Sequence, residues 1–156
     1  MKGTAMETVE ILLAALTDRD NRTACGAMRA LADISAASDA VYPHFFALSD
    51  LLDHKNSYVR NRALLLLAAN ARWDAAHRFD RVIGRYLAHV TDEKPITARQ
   101  CIQSLPTIVK HLPHLYDQVA SALHAVDCTR YADSMQPLLE RDILAALAKM
   151  AAARGD

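Results

Sequence analysis

One phrase occurs twice in this chain at a fixed distance. DHKNSYVRNRALLLLAAN, from Asp53 to Asn70, is answered by DEKPITARQCIQSLPTI, from Asp92 to Ile108. In each, an Asp is followed seven positions later by an Arg and then by an apolar run, and the two Arg lie 39 residues apart. A turn and helix returning at that interval mark stacked two-helix modules, which bury their apolar sides only against neighbouring modules. This constrains the fold more tightly than any single motif in the chain.

Apolar spacing fills in the rest. Val9, Leu12, Leu13 and Leu16 predict a helix over 5–16, with residues 1–4 fraying before it, and Ala24, Ala27, Met28, Leu31 and Ile34 predict a second over 23–34. Ser38-Asp39 is placed to cap a third helix, with Pro43 in its first turn and Phe45, Phe46, Leu48, Leu51 and Leu52 inward. Val59, Ala63, Leu66, Leu67 and Asn70 form the buried arc of the fourth, which Leu64 and Leu65 make apolar nearly all round. Asp74 is expected to cap a helix over 75–90, and Pro95 to open the next, which Pro106 should kink or end early. Pro113 opens a seventh helix with Tyr116, Val119, Ala120, Leu123 and Val126 on one face. Ser134 is expected to cap the eighth, with Pro137 in its first turn, Leu138, Leu139, Ile143, Leu144, Leu147 and Met150 inward, and 151–156 fraying. No stretch alternates as a half-buried strand does. The prediction is eight helices in four pairs within one domain, 1–156.

Helix pairs at this spacing, with VRNRA at Val59–Ala63 and ARQCI at Ala98–Ile102 opening each second helix, resemble HEAT repeats, the armadillo-like α-solenoid family. The resemblance is strongest in the second and third pairs. The first pair has no Arg in register, only Arg22 and Arg29 nearby, and in the fourth Arg141 is offset by a few residues. The resemblance implies an all-α, right-handed α-α superhelix of about four HEAT-like pairs. It also implies a structural ladder of turn Asp and following Arg, carried here by Asp53, Arg60, Asp92 and Arg99. That ladder has a physical logic of its own: a turn Asp accepts backbone N–H groups at a helix start, and an Arg fork one or two turns later reaches a neighbour's carboxylate.

Charge and composition narrow the function. The formal net charge is zero, whereas a dedicated DNA-binding module carries a basic excess. The balance hides a segregation: residues 1–53 hold four Lys/Arg against eight Asp/Glu, and residues 54–85 hold seven Lys/Arg against two Asp. Cys25, Cys101 and Cys128 are too few and too scattered for a disulfide framework. No export signal or membrane span is visible, so the expected setting is cytoplasmic.

Catalytic patterns are absent. There is no glycine-flanked Ser, no phosphate loop, and no Cys beside a base. His111 and His114 have a chelating i, i+3 spacing, but Pro113 stands between them, so they straddle a helix start and no full ligand set shows. No adjacent His-Glu pair, through which some HEAT-repeat hydroxylases bind iron, occurs. No metal or cofactor is therefore expected.

The cationic residues are more informative. Arg78, Arg81, Arg85 and His89 fall within roughly an 80° arc of one helix at about 100° per residue. Arg60, Arg62 and the only Trp, Trp73, precede them. A stripe of Arg beside an aromatic fits carboxylate recognition; the same residues also fit a solvated helix face and an aromatic plug. The first functional reading is a non-enzymatic scaffold docking a protein or peptide, acidic in character, through Arg60, Arg62, Trp73, Arg78, Arg81 and Arg85. The second is a nucleic-acid-binding protein of the DNA alkylation repair type, which resembles HEAT stacks in fold; zero net charge and a single Trp weigh against it. The third is a metal-dependent or redox enzyme.

Overall fold

The computed structural model describes residues 5–155. The first four residues, where fraying is expected, and Asp156 lie outside that range. Among the described residues the regular structure is entirely helical, eight α-helices with short 3₁₀ turns in most of the connections, and no helix is long and apolar enough to cross a membrane. The chain divides into two compact units, Met1–Ala75 and Ala76–Asp156.

The first unit holds α1 (Ala5–Ala15), α2 (Asn21–Ala37), α3 (Phe45–Asp50) and α4 (Ser57–Ala69). Its core is Val9, Leu16, Leu31, Phe45, Leu48, Leu52, Leu66 and Leu67, all buried. Helix α2 starts two residues before the predicted Thr23, because Asp20 caps it, accepting from the Arg22 N–H at 3.1 Å and the Thr23 hydroxyl at 2.9 Å. Ser38 does not open α3. It closes α2, its N–H bonding to the Ile34 carbonyl, and a 3₁₀ turn at Tyr42–His44 carrying Pro43 leads into α3. Asn56 caps α4 through the Tyr58 N–H.

Polar staples hold α4 against the first helix pair at both of its ends. Near its start, the Arg62 guanidinium donates to the Leu16 carbonyl at 3.0 Å and the Asn21 side chain at 3.1 Å. At its end, Asn70 donates to the Ser35 hydroxyl at 3.0 Å, and the Trp73 indole N–H donates to the Ser35 carbonyl at 2.7 Å. These bonds offset the cost of burying the Arg62 guanidinium and the Asn70 N–H groups, while the Asn70 Oδ1 has no partner among the described residues.

The second unit holds α5 (Phe79–Leu87), α6 (Pro95–His111), α7 (Tyr116–His124) and α8 (Gln136–Arg154). Its core runs through Phe79, Tyr86, Ile102, Leu105, Ile108, Val119 and Leu139. Several sequence expectations are corrected in and just before it. Asp74 does not cap α5, which begins only at Phe79. Asp74 is buried in the first unit, where the Tyr42 hydroxyl donates to it, and it lies five residues before the helix start. Pro106 does not end α6, which continues to His111. A proline removes one intrahelical bond, and the buried Ile108 and Val109 beyond it hold the last turn. Ser134 does not cap α8, whose first residue is Gln136 and whose N-cap position is Met135. The tail does not fray from Ala151: α8 runs to Arg154 and closes on Gly155, whose φ of 85° suits a left-handed helix stop. Leu144 is not inward but 69% exposed, and Leu138, Ile143 and Leu147 are half-buried.

Two long-range bonds tie the helix pairs of this unit. Arg99 on α6 donates to Asp142 on α8 at 2.6 Å, and that bond holds the guanidinium pKa above its ordinary value. The Tyr131 hydroxyl donates to the Asp92 carbonyl at 2.6 Å.

Candidate functional site

The residues expected to form one docking surface have different fates. Arg60 and Arg62 are 6% and 4% exposed. Arg60 donates to the His54 and Lys55 carbonyls of the turn before its own helix, at 2.9 and 3.1 Å, and Arg62 is one of the staples above. Guanidiniums committed to backbone carbonyls inside a unit are structural, so these two are corrected: neither is available to a partner. Their apolar surroundings on α4 explain the burial, since that helix is covered on most sides.

Trp73 is half-buried. Its ring lies 5.4 Å from the Arg72 guanidinium carbon and its N–H donates to the Ser35 carbonyl.

Helix α5 carries the remaining cations. Phe79, Val82, Ile83, Tyr86 and Leu87 are its buried face, and Arg81 and Arg85 are exposed on the other, with Arg78 half-buried at its N-cap position. The fourth member of the arc, His89, is turned to structure: its Nδ1 lies 2.7 Å from an Asp92 carboxylate oxygen, with both side chains largely buried.

The turn acids divide in the same manner. Asp53 is exposed at the end of a 3₁₀ turn. Asp92 is buried, and its other oxygen accepts the Lys94 N–H at 2.9 Å, organising the turn into α6.

Neither Cys101 nor Cys128 is set up as a nucleophile. Cys101 is fully buried, its Sγ donating to the Tyr86 carbonyl at 3.4 Å, and desolvation pushes its pKa well up, with the Asp92 charge adding to this. Desolvation also raises the pKa of Cys128, helped by Glu140 and Asp127. Nucleophilic thiols are set up the opposite way, with a depressed pKa and a nearby base.

A further group escaped the sequence reading. In the second unit, the side chains of His77, Asp80 and His114 meet at the surface, their candidate donor atoms all within 4.8 Å of one another. The imidazole rings of His77 and His114 stack, centroids 4.4 Å apart and planes at 18°. The pair is invisible to local spacing because its members lie 37 residues apart, on the approaches to different helices.

Compared with family models, curated proteins and solved structures, the chain matches none.

Proposed function

We propose that this chain is a non-enzymatic α-solenoid of the HEAT kind that docks an acidic protein or peptide. The single observation behind this reading is the outer side of α5, where Arg81 and Arg85 stand exposed one turn apart opposite a fully apolar buried face. Neighbouring Arg forks on a helix suit carboxylates, because a planar guanidinium pairs with two oxygens at once and loses less side-chain freedom per hydrogen bond formed. Polar bonds between successive helix pairs within each unit support the scaffold part of the reading. Arg99 reaches from one helix pair to Asp142 of the next, and Arg62 reaches from one pair to the turn of the pair before it. The contact set proposed is therefore narrower than the sequence suggests: Arg78, Arg81 and Arg85.

The test is binding of fluorescent Asp/Glu-rich peptides by wild type and by Arg81→Glu/Arg85→Glu. Loss of binding in the double variant with an unchanged melting temperature is expected. Equal binding by both proteins rejects the surface. Duplex DNA serves as the second arm: binding with a steep salt dependence would favour the nucleic-acid reading instead.

A further inference from the structure

We propose that His77, Asp80 and His114 form a binding site for a zinc-class divalent cation, a role separate from the docking reading. His77 sits in the loop before α5, Asp80 in the first turn of α5, and His114 in the 3₁₀ turn Pro113–Leu115 before α7. Asp80 serves both histidines. One of its oxygens is 2.6 Å from His114 Nε2, and the other is 3.8 Å from His77 Nδ1. A simple ion pair would need only one imidazole. Here two near-parallel rings each place a nitrogen near the same carboxylate, and a bound cation would take the place of the proton that His114 Nε2 shares with Asp80.

The spacing is close to what a metal requires. Bonds of about 2.0–2.1 Å in tetrahedral geometry put neighbouring donors roughly 3.4 Å apart. The present limit of 4.8 Å is wider than that, and all three residues are exposed, so their side chains are not packed in place. His77 occupies the left-handed region, φ 54°, one that His adopts more readily than most residues. Its ring stacks on that of His114.

The donor set selects the ion. Two imidazoles and one carboxylate, with no thiolate, suit Zn²⁺ and its late-transition neighbours and do not suit Ca²⁺ or Mg²⁺, which take oxygen ligands. The flanking Arg78 and Arg81 sharpen this. Positive neighbours oppose a cation bound mainly by charge, whereas Zn²⁺ gains much of its affinity from direct bonds to nitrogen. The bound ion would clip the approach to α5 onto the approach to α7, stabilising the second unit by mass action.

The test uses metal-stripped, tag-free protein titrated with ZnCl₂ by calorimetry and with Co²⁺ by visible absorption. One equivalent of Zn²⁺ is expected, with a rise in melting temperature that neither Ca²⁺ nor Mg²⁺ produces. His77→Ala, Asp80→Asn and His114→Ala should each weaken binding roughly a hundredfold, the upper end of what altered ligand environments cost, while His124→Ala, a change at another exposed histidine, should not. All four positions are exposed, and circular dichroism confirms that each variant is folded. The absence of Zn²⁺ uptake by wild type overturns the site. So does undiminished binding by the His77 and His114 variants, or a thiolate-to-cobalt charge-transfer band, which would move the ion to a cysteine.

Discussion

The Tyr131 hydroxyl donates to the Asp92 main-chain carbonyl across 39 residues, the same interval that separates Arg60 from Arg99. One end of this bond is the turn that opens α6; the other is the connector before α8. The bond is buried, so deleting the hydroxyl removes a donor that water cannot readily replace. Tyr131→Phe should cost about 1–2 kcal/mol and lower the melting temperature by roughly 2–8 °C. Denaturant titration of the two proteins checks this, and an unchanged midpoint would mean that the carbonyl is satisfied by another route.

Arg62 and Arg81 make opposite predictions from the same residue type. Arg62 holds α4 to the Leu16 carbonyl and the Asn21 side chain from a buried position. Arg62→Met should cost about 2–3 kcal/mol, because it strips charge-assisted bonds from acceptors within the unit. Arg81→Met lies on an exposed face and should stay within about 0.5 kcal/mol of wild type. If both variants melt like wild type, Arg62 is not a staple.

These two arginines also show where sequence reading stops. The eight-helix count and most buried faces were legible, because apolar spacing reports which side of a helix is covered. Which cations are covered was not legible, since Arg60 and Arg62 look as solvent-facing in sequence as Arg81 and Arg85. Capping failed for a related reason. Asp74 and Ser134 are good caps by type, but Asp74 is claimed by Tyr42, 32 residues away, and α8 begins beyond Ser134. For the histidines, attention to i, i+3 spacing singled out His111 with His114. The histidine that stacks on His114 lies 37 residues earlier, at His77, beyond the reach of local spacing.

Thr97 offers a test of packing against polarity. It is 0% exposed within α6, and its hydroxyl oxygen has no hydrogen-bond partner among the described residues. An unmade bond in the interior costs about 1–3 kcal/mol relative to a satisfied one, and valine has nearly the same shape. Thr97→Val should therefore leave stability unchanged or raise it by about 1 kcal/mol, whereas Thr97→Ala, which removes volume, should lower it. Destabilisation by valine equal to that by alanine would reveal a bonded hydroxyl.

Cys101 predicts both a reactivity pattern and a pH dependence. Its thiol is fully buried, while Cys25 and Cys128 are half-buried, so a thiol reagent should label the latter two in the native protein and reach Cys101 only on unfolding. Desolvation raises the Cys101 pKa in the folded state, and it raises that of the buried Tyr86 likewise. A group whose pKa is raised by folding contributes fully below its unfolded value and loses that contribution as pH climbs past it. Stability should thus hold up to about pH 8.5, the ordinary range for a free thiol, and decline above it as the unfolded chain ionises first. Cys101→Ala removes the first of these titrations. It should start from a lower melting temperature because of the lost volume, yet fall less between pH 8 and pH 9.5, before tyrosine ionisation sets in. Melting curves collected across that interval decide the matter: parallel declines in the two proteins would place the alkaline sensitivity elsewhere in the chain.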